Sequence, residues 1–404
     1  MPTYRITERS RMSSRAMTRP LASRSRQRRK PRAGRLRTAR PPEASPCLWK
    51  VWMTTGRNPG KEAEMPSSQV LLHPKFQSTE RDLAATLTLA QPGSLVFLIG
   101  ISGVGKSELR YRSMRSVAGA PSGWDKGILP AVAVRATLTD RGFFNPKDLA
   151  MRLAHALRVP DLTWLSDRDQ IDDPEVVHAK LEIAEKAQPW LDARRSTTEH
   201  ALRFEFERHA RARRLRWIFI EECASIGTLS RGRSVHNYVL GLMQLAEECG
   251  LTIILFGTPR AAALWDCHPD IRRRSLFVWA QRYREDRSED HRPFASLVSS
   301  LGKHLPLERP DLLVQNLELA LANSAGSYGE VKQFLLRADQ ARVRRGSHTI
   351  DLCDLHQASY SRDHLLGMWE QAKAFDGLCE INTDAADLGY LNLKWGAAEG
   401  RVGQ

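Results

Sequence analysis

The sequence predicts an α/β protein, a parallel sheet flanked by helices with a small helical subdomain behind it. Three observations carry this. Short apolar runs of strand length alternate with amphipathic helical stretches, the pattern of a parallel sheet covered on both faces. A glycine-rich octet joins the first such run to the first helix after it. After about residue 285 the strand runs stop and helical patterns continue alone.

Ser94–Gly100 (SLVFLIG) reads as a buried strand, and Ser107–Val117 as the helix that follows. Ala131–Val134 is a second strand run. Asn145 and Pro146 then suit the cap and first position of a helix, with Leu149, Leu153, Ala156 and Leu157 on one face. Residues 160–195 read as an acidic, mostly helical insertion, and Ser196–Arg214 as a charged helix. Trp217–Ile220 is a strand running into Glu221 and Glu222. Ser234–Glu248 is an amphipathic helix closed by Gly250, Thr252–Phe256 a strand, and Leu276–Trp279 a candidate fifth strand. Pro293–His304, Pro310–Asn323 and Tyr328–Arg344 read as the helices of the subdomain. Expected boundaries are thus 68–285 for the core and 286–349 for the helical lid. Residues 350–404 read as a less regular tail, with Trp369, Tyr390 and Trp395 pointing to partner docking.

Composition narrows the classes. Of the 404 residues, 42% are hydrophobic, enough to bury a core. No apolar run approaches the roughly 18 residues of a membrane helix, which predicts no membrane partner, and no hydrophobic secretory leader opens the chain. The six cysteines are scattered without a CxxC pair. That argues against a zinc ribbon or disulfide framework and fits a reducing compartment. Net charge is +15, but residues 1–45 hold thirteen Arg and Lys30 against Glu8 and Glu43, so +12 of it lies there. This Arg-, Ser- and Pro-rich stretch reads as disordered. Three readings of residues 1–52 stay open: a basic arm on DNA phosphates, a translated stretch upstream of a start at Met53 or Met65, and an organellar transit peptide.

Gly100-Ile101-Ser102-Gly103-Val104-Gly105-Lys106-Ser107 matches G-x-x-x-x-G-K-[ST] between a strand and a helix. Glycines let successive backbone N–H groups converge on phosphates, and the following helix N-terminus favours an anion. Lys106 is expected to reach the β- and γ-phosphates of ATP and Ser107 to ligate Mg²⁺. In P-loop ATPases a later strand ends in an acid of the Mg²⁺ shell, followed by a Glu that polarises the attacking water. Glu221 takes the first role and Glu222 the second. Glu221 stands where Asp is usual, and its extra methylene predicts slow hydrolysis. Thr258, ending the next strand, is a candidate to bind the attacking water, or a turn residue before Pro259. Arg273 and Arg274, ahead of the fifth strand, are candidates for an arginine acting on the neighbouring subunit's nucleotide, or part of a solvated basic cluster. Lys332 is a candidate to reach the γ-phosphate, or an exposed helix lysine.

This constellation resembles the AAA+ ATPases, and more narrowly the transposition regulators of the TnsC, TniB and MuB type. Four segments carry the narrower resemblance: Leu71–Phe76 (LLHPKF), Thr139–Asp148 (TDRGFFNPKD), Phe256–Ala261 (FGTPRA), and His304–Leu307 (HLPL) with Gly326–Leu336. Departures are Glu221 for Asp, Cys223-Ala224-Ser225 in place of a Gln-His after the acidic pair, and the basic N-terminus. The resemblance implies a bacterial, nucleoid-associated cytoplasmic ATPase that binds ATP between subunits. It forms a homo-oligomeric ring or filament on duplex DNA, marks the target site and recruits the transposase. It takes instruction from a target-selector protein of TniQ or TnsD kind, CRISPR-linked in some elements, and hydrolysis disassembles the complex. By position Thr139, Arg141 and Lys147 face DNA in such an assembly, or serve as loop and cap residues. Competing readings are a replication initiator or helicase loader, a signalling P-loop ATPase, and a nucleotide-binding scaffold without hydrolysis.

Overall fold

The computed structural model describes residues 72–165, 198–229, 232–266 and 268–380. The basic arm, most of the acidic insertion and the tail beyond residue 380, with Tyr390 and Trp395, lie outside them.

Strands β1 (Leu95–Ile99), β2 (Ala131–Arg135), β3 (Trp217–Glu221), β4 (Thr252–Gly257) and β5 (Ser275–Trp279) form one five-stranded sheet in the order β2-β3-β4-β1-β5. Every pairing is parallel. β1 and β4 are buried at each residue, as continuous apolar runs such as LVFLI require. Register aligns Ile99 with both Gly257 and Trp279, and Arg135 with Glu221. The carboxyl ends of the strands therefore share one edge, where open α/β sheets bind ligands.

Helix α1 (Pro74–Leu89) starts at His73, whose ring accepts the Phe76 N–H. α2 (Lys106–Ala118) follows the glycine-rich octet. α3 (Pro146–Arg158) has the expected Asn145 cap, which accepts from the Lys147 N–H, and buries Leu149, Leu153, Ala156 and Leu157. α4 (Glu199–Ala212) precedes β3. α5 (Val235–Cys249) opens on Ser234 and closes on a left-handed Gly250. The short α6 (Pro269–Arg273) leads into β5.

Behind the sheet, α7 (Ser288–Gly302), α8 (Leu312–Gln315), α9 (Leu317–Ala322) and α10 (Tyr328–Arg345) build the lid around a second apolar cluster that includes Phe294, Leu297 and Phe334. Two details depart from expectation. α7 begins five residues before Pro293, because buried Asp290 in its first turn pairs with Lys75 at 2.6 Å and holds that turn in place. The second lid helix breaks at Asn316, whose side chain donates to the Leu312 carbonyl at 2.8 Å and competes with the backbone ladder.

The boundary expected at 349 falls inside the lid, since Ile350, Leu355 and Ala358 join its cluster. The expected irregular tail contains α11 (Leu352–Gln357) and α12 (Arg362–Cys379). α12 returns to the sheet, where Phe375 joins the main core. Trp369 is half-buried and donates to the Ala322 carbonyl at 3.0 Å. No helix among the described residues is long and apolar enough to cross a membrane.

Candidate functional site

Chain connectivity assembles the site at the carboxyl edge of the sheet. Leaving β1, the octet turns through left-handed Gly103 (φ 79°) and Gly105 (φ 95°) into α2. The Lys106 ammonium folds back on the loop, donating to the carbonyls of Gly100 at 2.9 Å and Ile101 at 2.8 Å. Burial pulls its pKa down to about 8 from 10.5, against the opposing field of Glu222. Ile101 and Val104 are buried beneath the loop, while Ser102, Gly103 and Ser107 face solvent. A loop of this shape with a lysine and a helix N-terminus fits a polyphosphate.

The lid reaches the same loop. The Gly329 N–H donates to the Gly103 carbonyl at 2.8 Å, and the Ser327 hydroxyl to the Ser102 carbonyl at 2.8 Å. A Cβ on Gly103 would sit 2.6 Å from Ser327 Oγ, so the approach requires glycine. Lys332 follows one turn later on α10, half-buried and without a hydrogen bond or ion pair among the described residues. Thr258 directly follows β4, between the loop after β1 and the acids at the end of β3. It is half-buried, and its hydroxyl makes no hydrogen bond among the described residues.

Glu221 ends β3 and Glu222 follows it, in different surroundings. Glu221 pairs with Arg110 of α2 at 3.0 Å and with Arg135 of β2 at 3.4 Å. Glu222 is exposed and turns out of the strand with a left-handed backbone (φ 56°). The residues present fit a small hard cation through the Ser107 hydroxyl and the Glu222 carboxylate, both oxygen donors. No cluster of three or more His, Cys, Asp or Glu residues with metal-binding geometry occurs among the described residues.

The remaining expected residues lie elsewhere. Arg273 and Arg274 stand at the amino edge of the sheet, where the Leu95 N–H donates to the Arg274 carbonyl. Arg274 pairs with Glu247 at 2.9 Å and the neighbouring Arg272 with Asp266. Arg273 is exposed and has no ion pair among the described residues. After β2, a tight turn at Thr139–Phe143 projects near the carboxyl edge. The Thr139 hydroxyl is spent inside it on the Phe143 carbonyl, at 3.0 Å, while Arg141 points outward with no ion pair among the described residues. Lys147 is half-buried in the first turn of α3.

Sequence reasoning missed three things. One is Arg110, whose only signal was its place one helical turn beyond Ser107. Another is the glycine-to-glycine contact of lid and loop. The third is a ring cluster beside the loop. His73 stacks on Tyr328 with centroids 5.4 Å apart, its Nδ1 lies 3.1 Å from the Tyr283 hydroxyl, and Phe76 packs against Gly105. Because Nδ1 also accepts the Phe76 N–H, the ring proton belongs on Nε2, which is buried without a partner among the described residues. Burial lowers the His73 pKa to about 4, so the ring is neutral at physiological pH.

Residues 90–264 match the family model described as an AAA domain. No curated protein matches the sequence. Among solved structures, the chain is similar to a Walker-type ATPase of Pyrococcus abyssi, at 16% identity over 80% of this chain and 78% of that one, with TM-score 0.45. It is similar to the ORC2 protein of Aeropyrum pernix at 14% identity, 75% and 73% coverage and TM-score 0.43. For the RuvB Holliday junction branch migration motor of Thermotoga maritima the values are 11%, 70%, 67% and 0.36. The matched residues hold the glycine-rich loop and four of the five strands of the parallel sheet, with the helical region lying beyond the match.

Proposed function

We propose that the protein is an ATP-dependent regulator of DNA transposition, which binds ATP and Mg²⁺ at the loop after β1 and assembles as a ring or filament on duplex DNA. The observation that carries assembly is the separation of Arg273 from the loop. Arg274 and Arg272 are tied down by acids, whereas Arg273 is exposed and free of ion pairs among the described residues, at the opposite edge of the sheet. A cation so placed serves a phosphate group of a neighbouring copy, not its own.

Within one subunit the loop backbone and Lys106 bind the phosphates, and Thr258 orients water. Lys332 approaches as the lid rests on Gly103, and the ring cluster of buried His73 and Tyr283 with Tyr328 backs the loop from behind. Bound Mg²⁺ would neutralise phosphate charge. Arg141, and Lys147 behind it, supply phosphate contacts to DNA. Such contacts hold position without reading sequence, so target choice falls to a selector protein and strand transfer to a transposase. The sequence segments 71–76, 139–148, 256–261 and 304–307 with 326–336 support this narrower reading over a replication initiator.

Negative-stain electron microscopy of the protein with duplex DNA, with and without a non-hydrolysable ATP analogue, tests it. Rings or filaments on DNA only with the analogue are expected. Monomers under both conditions, with the analogue shown to be bound, would overturn assembly.

A further inference from the structure

Both carboxylate oxygens of Glu221 are engaged. Oε1 lies 3.0 Å from Arg110 Nε, and Oε2 lies 3.4 Å from a terminal nitrogen of Arg135. The Arg110 side chain is 9% exposed and that of Glu221 14%, so this is an enclosed contact where partners are not easily exchanged for water. It is an ion pair rather than an aligned hydrogen bond, since Arg110 Nε–H has no well-directed acceptor. The Arg110 guanidinium also stacks on Tyr111, 4.2 Å from the ring centroid, which fixes it further. A dication drawn toward Glu221 meets two guanidinium charges and must break their pairing.

Glu222 differs in each respect. It is exposed, it makes no ion pair among the described residues, and its left-handed backbone turns it away from the strand direction. A non-glycine residue in that conformation is strained, and such strain recurs where function demands a particular orientation. Ser107, the hydroxyl a cation would share, is exposed on the first turn of α2 and bonds neither acid.

We infer that Glu222, not Glu221, is the carboxylate that faces the divalent cation beside Ser107, and that Glu221 is a positioning residue whose pairing with Arg110 holds the phosphate-loop helix against β3. The inference rests on the nucleotide-binding reading above. It reverses the order in which the sequence assigns the two acids. It also has a functional consequence. Glu222 cannot both sit at the cation and take a proton from water, so turnover is slow and the nucleotide-bound assembly is long-lived.

The test measures affinity of the full chain for a fluorescent ATP analogue in Mg²⁺ and in EDTA, together with the melting temperature. Glu222→Gln is expected to lose the Mg²⁺-dependent gain in affinity by about tenfold while melting like wild type. Glu221→Gln is expected to keep the gain within about twofold and to melt lower. Arg110→Met should melt lower as well, and the double variant no lower than the worse single one, because the two residues act as one pair. Glu221→Asp provides a folded check, since it keeps the charge and shortens the reach. It should lower the melting temperature and leave both the Mg²⁺ gain and ATP turnover no higher than wild type. Loss of the Mg²⁺ gain in Glu221→Gln with its retention in Glu222→Gln would overturn the inference, as would faster turnover in Glu221→Asp. A wild-type protein with no affinity for the analogue would instead remove the nucleotide-binding reading itself.

Discussion

Replacing Gly329 by Ala should destabilise the protein, although the same exchange in an ordinary helix stabilises it. Gly329 lies in the first turn of α10, where alanine is favoured over glycine by about 0.5–1 kcal/mol. A Cβ there would stand 2.8 Å from both the Cα and the carbonyl oxygen of Gly103. These are backbone atoms of the phosphate loop and cannot rotate away, so the lid must retreat. Retreat breaks the Gly329 to Gly103 bond and the Ser327 to Ser102 bond, each worth about 1 kcal/mol net. The loss of about 2 kcal/mol outweighs the helix gain, leaving about 1 kcal/mol of net destabilisation. Gly367 is the control. It lies inside α12, a Cβ on it meets nothing within 4 Å, and Gly367→Ala should stabilise by about 0.5–1 kcal/mol. Urea unfolding of both variants, with nucleotide affinity alongside, reads the contrast. Equal stabilisation by the two substitutions would show that the lid does not rest on the loop, and would remove the route by which Lys332 approaches a phosphate.

Lys106→Ala should abolish nucleotide binding, measured by fluorescence titration, because it removes the loop's side-chain cation. The wild-type pH profile should split in sign. Lys106 is lowered to about 8 in the fold, so between that value and 10.5 the unfolded chain holds more protons, and this group's contribution to stability rises with pH. Nucleotide affinity moves the other way, falling by up to about tenfold per pH unit above 8 as the cation is lost. Parallel titration of melting temperature and affinity checks both. Arg273→Ala should leave nucleotide affinity unchanged and suppress ATP turnover by at least about 100-fold, whereas Arg274→Ala, which only frees Glu247, should stay within about threefold. A mixed assay pairing Arg273→Ala with Lys106→Ala protein should recover part of the turnover if the arginine acts between copies. Asp376→Asn should cost about 3 kcal/mol in chemical unfolding, since it leaves Arg282, with a side chain 2% exposed, short of its bidentate partner.

The elements were legible where the signal is local. Asn145-Pro146 and Ser234 with Gly250 mark helix ends through groups a few residues apart, and the apolar runs of β1 and β4 mark buried strands by composition alone. The loop motif was legible for the same reason, since its chemistry is contained in eight consecutive residues. Contacts between distant segments were not legible. His73 meets Tyr283 from 210 positions away, and Ser327 meets Ser102 from 225. Each pair becomes neighbours only once the lid has folded back on the sheet. The acidic pair shows the limit most clearly. Two adjacent glutamates at a strand end look alike in sequence, and what separates them is Arg110 and Arg135, supplied by other elements. A motif assigns roles by order, whereas the surrounding charges decide which carboxylate is available.

The same distinction applies to the end of the described chain. The sequence presents 350–404 as a tail, yet α12 is built into the hinge between sheet and lid. Arg282, just past β5, donates to Asp376 of α12, to the Tyr283 and Ala325 carbonyls and to Glu285, while the Trp369 ring lies 5.1 Å from its guanidinium. The next residue, Tyr283, bonds Gly326 through its backbone and His73 through its hydroxyl. Three residues beyond Gly326, Gly329 bonds the phosphate loop. The chain of contacts from α12 to Gly103 is therefore short and made largely of buried polar groups with little slack. A force that shifts α12 must either break the pairing of Arg282 and Asp376 or carry the lid with it. On the nucleotide-binding reading proposed above, linkage is reciprocal, so a nucleotide that moved the lid would also change the surface that α12 presents. The last described helix is thus tied to the phosphate loop through the hinge, and Trp369, packed on Arg282, is part of that hinge.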